Sequence, residues 1–404
     1  MATLTESPQG SRNASGSSRD WLILALLLAF PSAGFLQKYS GLAGLVGYGI
    51  AVVAVVFFVR NSNARCGPWC RRHYRVLAAL ALVGLAVIFT IGYPIEDGRG
   101  HLKSSDRDEG LNLAVSRLVA GQTPYYPPSS EAGPLSVLPG SILLAAPFVA
   151  LGNSAYQNWF WLAVFLVCAV RLFRDHALAL CLLAIPLAVS PAAQYEFISG
   201  GDLIANGIFV AAFSLLALNR WSSPSAPNWS RWLCCVLLGV ALASRANFLL
   251  LTPLFGAVVW RIAGFRNALA ATAVVVLTAA AITLPFYLND PAGFTPLMSK
   301  QKLAGVDHAL PWASKAMIGA TVLTAILCGW RLLAYRSNDP ITAFFRGCTI
   351  VTLTPMLCVV LLSSAIHSDP DFSFMTDRFG LMYIFFALLG WGGHWFHKST
   401  NIIE

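Results

Sequence analysis

Charged side chains are scarce in this sequence. Asp, Glu, Lys and Arg make up 11% of its 404 residues, less than half the roughly 25% of a soluble domain, while 57% are hydrophobic. That balance excludes an ordinary water-soluble protein. The alternation of a β-barrel is missing as well, so backbone facing lipid must satisfy its hydrogen bonds within helices. There is no Gly-rich phosphate loop ending in Lys-Ser or Lys-Thr, no paired zinc-ligand motif and no Gly-x-Ser-x-Gly, which excludes a nucleotide-binding core of the usual soluble kind. No internal repeat of the type that marks many transporters is visible. The net charge of +9 comes from cations that form neither a stripe nor a patch interleaved with aromatics, so it does not point to nucleic acid.

What is present is a succession of apolar runs from Trp21 to Trp395, each near the roughly 20 residues that a spanning helix needs. The expectation is an all-α, polytopic transmembrane bundle of about twelve helices, a multi-pass protein of the cell (inner) membrane. Residues 1–19 are polar and small and read as a disordered cytoplasmic tail. Trp21 to Leu36 and Gly41 to Val59 read as a helical hairpin over 20–59. Residues 60–75 hold five arginines and no acid, which predicts a cytoplasmic loop. Further arginine-bearing loops (Arg171/Arg174, Arg220/Arg231, Arg261/Arg266, Arg331/Arg336/Arg346) then alternate with four other connections, Tyr195 to Asp202, Ser244 to Asn247, Tyr287 to Trp312 and His367 to Arg378. Assigning the basic set inside places the other set outside and ends in a cytoplasmic tail at 396–404. One segment disturbs the alternation: 135–152 is apolar enough to span, yet both its flanks fall outside, so either it re-enters or a neighbouring loop is misplaced. Of the nine cysteines, seven lie in or beside apolar runs, and Cys66 and Cys70 have no second pair; packing explains them.

The longest charged interruption is Pro94 to Gly133, which holds six of the eighteen carboxylates. Within it Asp106-Arg107-Asp108-Glu109 directly precedes a helical pattern at Leu111, Val115, Leu118 and Val119. The acids therefore gather at a helix N-terminus, where the dipole favours negative charge. They are either working carboxylates on an external loop, 94–134, or a solvated helix cap.

Asp108-Glu109-Gly110, the helix after it, then Gly121-Gln122-Thr123-Pro124-Tyr125, a Pro-rich turn and an apolar helix near Pro134 resemble the first external loop of GT-C glycosyltransferases, in the protein-mannosyltransferase and aminoarabinose-transferase branch and bacterial dolichyl-phosphate-mannose-type relatives. The likeness extends loosely over 76–395. It implies a GT-C-type bundle whose first external loop carries juxtamembrane helices, and transfer of a sugar from a polyprenyl-phosphate donor to a glycan, lipid or protein acceptor on the external face. By that resemblance Asp108 is the candidate base for the acceptor hydroxyl, Glu109 tunes it, and Asp106 and Tyr125 are neighbours of the motif. A divalent metal is used by some members; no metal ligands are assigned here. The chain is short for the family, lacks its larger C-terminal soluble domain and has an added N-terminal hairpin.

Three further positions join the set. Asp202 follows Ser199-Gly200-Gly201 at the start of an apolar helix and is either a simple N-cap or, by the resemblance, a second acid of the site, with Glu196 nearby. Arg245 interrupts a long apolar stretch and needs a partner or a wet cavity, since arginine at bilayer depth costs roughly 2.5–3.5 kcal/mol; it is a phosphate clamp or an arginine snorkelling to the interface. Arg378-Phe379 resembles the Arg-aromatic pair that contacts lipid-linked phosphate in the family, a task suited to the planar guanidinium. Lys300 and His308 lie in a late external loop and complete the candidates. A transporter or channel and a noncatalytic membrane scaffold are the competing readings.

Overall fold

The computed structural model describes residues 19–98, 106–126, 135–298, 311–335, 339–373 and 379–395. Lys300, His308, Arg378, the tail 396–404 and nearly all of the tail 1–19 lie outside the described residues. Every regular element among the described residues is helical. In chain order these are α1 (Asp20–Ala29), α2 (Ala33–Arg72), α3 (Tyr74–Asp97), α4 (Arg107–Val119), α5 (Pro139–Ala150), α6 (Gln157–Phe173), α7 (His176–Val189), α8 (Pro191–Ile198), α9 (Leu203–Ser222), α10 (Asn228–Leu242), α11 (Thr252–Ala263), α12 (Phe265–Asn289), α13 (Ala313–Ala334), α14 (Pro340–His367) and α15 (Leu381–Trp391), with short 3-10 turns between some of them.

By length and composition eight of these segments can cross a membrane, or nine if the bent pair α7–α8 is one span. The chain is a helical, multi-pass membrane protein. The count falls below the twelve read from the sequence because three apolar helices, α5, α10 and α15, are short, and because Asp20–Ser62 is one continuous apolar segment. That segment folds back on itself. Gly41 adopts φ 64° and ψ −170° inside α2, a conformation open to glycine and closed to most side chains, and the Trp21 ring then lies 5.5 Å from that of Phe57. Residues 60–75, read as a loop, are helical but for a break at His73: α2 runs to Arg72 and α3 begins at Tyr74.

The α7–α8 pair bends by 92°. Pro191 starts α8 with no N–H to offer the preceding turn, and the Ser190 hydroxyl accepts the Ala193 N–H (3.2 Å) and meets the buried Ser32 hydroxyl (2.9 Å). The bend carries Glu196 inward. At the centre stands α9, with 78% of its apolar window buried against 6% for α3, so α3 faces lipid while α9 is enclosed by protein.

Polar groups collect at two ends. At one end Arg71 pairs with Asp175 (3.3 Å), Arg231 donates to the carbonyl of Ser223 (2.8 Å), Arg261 to those of Leu332 and Tyr335 (both 3.0 Å), and Arg346 to Asp20 (3.0 Å) and the Gly390 carbonyl (2.7 Å). At the other end lie Asp108, Glu196, Asp202 and Arg245. The helices run between them: α3 from Tyr74, against His176, to Tyr93 on Asp108; α9 from Asp202 to Arg220; α11 from the Arg245 turn to Arg261.

For 135–152 the contacts are informative. Its helix α5 has twelve residues. Both its ends meet the acidic end of the bundle. Near its start the Ser141 hydroxyl donates to Asn206 (3.2 Å), and beyond its finish Asn153 bonds Tyr93 and Asn112. Both ends of the segment therefore lie on the acidic side of the bundle.

Candidate active site

The site is assembled from six stretches of chain. The first turn of α4 supplies Arg107, Asp108 and Glu109. Asp106 stands at the N-cap position, but its side chain makes no capping bond. Asp108 is 1% exposed, which removes the reading of a solvated cap. The Tyr93 hydroxyl donates to its Oδ2 at 2.5 Å, and Asn153 Nδ2 donates to the Tyr93 oxygen at 2.6 Å. Asn112, one turn along α4, donates to Asn153 (3.1 Å) and accepts the Ser154 N–H (2.8 Å), while the Ser154 hydroxyl donates to the Asp108 carbonyl (3.2 Å). This ring of neutral polar groups fixes the carboxyl in one orientation.

Close packing depends on Gly200. Its φ is +70°, and a Cβ there would meet Asp108 Oδ2 at 2.9 Å and Tyr93 and Ala155 at 2.8 Å. Any larger residue would push the acid out of place.

Burial raises the pKa of Asp108, with hydrogen bonds from Glu109 and Tyr93 opposing the rise. Glu109 is pushed up to about 8, first by burial and then by the adjacent Asp108 carboxyl. Burial and the neighbouring carboxyl thus both favour the protonated form of Glu109. At neutral pH Glu109 holds its proton. A carboxyl whose folded pKa is raised binds its proton more tightly in the fold than in the unfolded chain. Its contribution is present below pH 4.5 and is lost as pH rises from about 4.5 to about 8. The heating midpoint of the parent should therefore decline over that window, and Glu109→Gln, which keeps the donor but cannot ionise, should lack the decline. Superimposable profiles for the two proteins would contradict the raised pKa of Glu109.

Asp202 and Arg245 form the second half. The Asp202 side chain does not cap α9. Instead both its oxygens accept from Arg245 Nη2 (2.7 and 2.6 Å), and Oδ2 accepts from Asn206 Nδ2 (2.7 Å). Arg245 is 7% exposed, so it does not snorkel. It sits where the chain leaves α10 and turns extended, with φ −148° and ψ 143°. Its Nε makes no hydrogen bond among the described residues. Arg107 links the halves: its Nη1 lies 3.5 Å from Glu196 Oε1 and 3.8 Å from Asp202 Oδ1, and its guanidinium lies over the Phe379 ring at 5.4 Å. Glu196, fully buried, also accepts the Leu203 N–H (2.8 Å).

Of the positions singled out from sequence, Asp108, Glu109, Asp202 and Arg245 come together. Tyr125 does not join them. It is buried in a separate apolar cluster between α4 and α5, with its hydroxyl on the Val137 carbonyl (3.3 Å) and its ring 4.8 Å from that of Phe294; there it fixes α4 from behind. Phe379 is in place, next to Arg378, which lies outside the described residues. Arg107 and Glu196, noted in the sequence only as neighbours of Asp108 and Asp202, prove to be partners in the site, and Tyr93, Asn112, Asn153 and Asn206 are the additions. For Asn206 a signal existed, since it stands one helical turn after Asp202; for the others only the fold brings them close. Among the described residues no three His, Cys, Asp or Glu side chains converge as a metal site.

Comparison with protein-family models, with curated proteins and with solved structures returns no match. The functional reading therefore rests on the geometry of the site.

Proposed function

We propose that the protein is a membrane glycosyltransferase of the GT-C kind, which moves a sugar from a polyprenyl-phosphate carrier to a hydroxyl acceptor on the external face. The observation that carries this reading is one buried carboxylate, Asp108, oriented by Tyr93 and backed by a proton-holding Glu109, beside two arginines that converge on Asp202.

In the reaction the acceptor oxygen bonds to the anomeric carbon and its proton passes to Asp108. The bond from that carbon to the phosphate oxygen breaks, and the electron pair leaves with the phosphate. A carboxylate suits the first task if it lies within hydrogen-bond reach, and a raised pKa makes it a better base while it stays ionised. Guanidinium groups suit the second, because planar donors engage phosphate oxygens in pairs. Arg245 has its Nε to offer and Arg107 is next in line. The geometry of the lipid path agrees. An apolar groove of about 400 Å³ runs along α3 and α6 and is lined by Leu82, Val83, Ala86, Thr90, Ile91 and Trp159. Its last residue on α3 is two before Tyr93, so a polyprenyl chain lying there would bring its phosphate toward Asp108.

Counting the reversal at Gly41 as two passes, the α7–α8 pair as one, and α10 and α15 as one each brings the eight spans to twelve, with Asp20 and Trp391 both against Arg346 at the arginine-rich end. Under the positive-inside rule that end is cytoplasmic, which puts the acidic end outside. A transporter would more often hold ionisable groups near the middle of its helices; here they lie at helix ends.

The test is turnover. Purified protein in nanodiscs should consume a polyprenyl-phosphate sugar from a panel that includes mannose and glucose, with polyprenyl phosphate as product. A panel left intact would set the proposal aside.

A further inference from the structure

Three polar side chains on one face of α6 are buried and incompletely bonded. Gln157 and Asn158 are fully buried and Trp161 is 6% exposed. Among the described residues neither Oε1 nor Nε2 of Gln157 has a hydrogen-bond partner, nor has Asn158 Oδ1 or Trp161 Nε1. Buried polar atoms are almost always paired, and in a membrane bundle the alternative is hydrocarbon. Four such atoms within one helical turn and a half give a polar group entering the bundle a concentrated set of hydrogen-bond partners.

Their place in the fold says where that group sits. Asn158 Nδ2 donates to the Gly201 carbonyl at 2.7 Å, between Asp202 and the Gly200 that touches Asp108. Gln157 follows the Asn153-Ser154 turn that is bonded to Asn112 and Asp108. Trp161 packs on Phe209, with ring centroids 5.5 Å apart, less than one turn along α9 from Asn206. Ser244, also fully buried with an unpartnered hydroxyl, precedes Arg245.

The chemistry of the open atoms is neutral and mixed. Gln157 offers both a donor and an acceptor, Asn158 an acceptor, Trp161 a donor, and Ser244 either. An anion would want donors alone and a cation acceptors alone. A ring bearing several hydroxyls, each both donor and acceptor, matches. We infer that Gln157, Asn158 and Trp161 form the pocket that reads the sugar hydroxyls of the donor, next to the arginines that take its phosphate. This rests on the glycosyltransferase reading and names the part of the site that selects the sugar. A site built to bond a hydroxyl discriminates strongly against a ligand that lacks it, because its own polar groups are then left unpaired.

The experiment measures binding of polyprenyl phosphate, polyprenyl-phosphomannose and polyprenyl-phosphoglucose to the full chain in nanodiscs. The parent should hold one of the two sugar lipids at least about 10-fold more tightly than bare polyprenyl phosphate, the ratio that one net hydrogen bond supplies. Gln157→Met and Asn158→Leu should remove that preference and leave the affinity for bare polyprenyl phosphate within a few-fold. Trp161→Phe, which deletes only the N–H and keeps the packing, should reduce it and guards against misfolding of the other two. In turnover the same variants should raise KM for the sugar lipid more than they lower kcat. Equal affinity of the parent for all three lipids would overturn the pocket, as would variants that keep the preference or that weaken all three lipids alike. If the parent prefers a sugar lipid and yet transfers nothing, the transferase reading fails and the pocket stands; if transfer proceeds and the variants match the parent, only the pocket fails.

Discussion

Asp108→Asn should lower sugar transfer by about 100-fold or more, within the range of roughly 10²–10⁴ that positioned acid–base groups contribute. The substitution keeps the shape of the side chain and an oxygen for the Tyr93 hydroxyl, which donates to Asp108 at 2.5 Å, but it cannot take the acceptor proton. Donor affinity should change only a few-fold, because the phosphate is assigned to Arg245 and Arg107. Asp106→Asn is the control: it removes a charge two residues earlier, at a position whose side chain does not cap α4. Transfer rates and lipid binding by purified variants decide the matter. Full activity of Asp108→Asn would remove the base, and a larger loss at Asp106 would move the base upstream.

The second large effect is on stability. Removing one member of a buried ion pair costs about 3–5 kcal/mol, because the other charge stays buried without compensation. Asp202→Ala leaves Arg245, 7% exposed, with no carboxylate, and should lower the midpoint for loss of monomer on heating by many degrees. Arg245→Ala should cost less, since Arg107 still faces Asp202 at 3.8 Å. The double variant Asp202→Leu, Arg245→Met should recover much of the stability, as hydrophobic replacement of buried pairs often does, while transfer stays lost. That separation of folding from function is the informative outcome. A double variant that transfers sugar at the parental rate would show that the pair is structural only.

The class of fold was legible because it depends on composition and run length alone: scarce charge and repeated apolar stretches dictate membrane helices wherever the chain goes. The reversal near Gly41 and the alternation of basic and acidic connections follow from similar local cues. The fate of 135–152 was not legible, since a run of that length fits a crossing or a re-entry, and only the bonds of Ser141 to Asn206 and of Asn153 to Tyr93 put both its ends on the acidic side of the bundle. The same divide runs through the site. Asp108, Asp202 and Arg245 stand out as charges against an apolar background, where burial without a role is costly. Arg107 and Glu196 look in sequence like ordinary members of a charged loop and a helix end. They become partners because the bend at Pro191 turns Glu196 inward to 3.5 Å from Arg107. Gln157 and Asn158, at the start of an apolar helix, look like residues that favour helix ends, and only their complete burial gives them meaning.

The central claim is that one buried carboxylate on the acidic end of the bundle drives transfer from a lipid-linked sugar. Its most direct test is made in sealed proteoliposomes loaded with labelled polyprenyl-phosphate sugar and supplied with an alcohol acceptor. The account predicts that polyprenyl phosphate and glycosylated acceptor appear together in equal amounts with the parent and fall at least about 100-fold with Asp108→Asn. Labelled lipid that stays intact with the parent, or that is consumed equally by the Asp108→Asn variant, would contradict it.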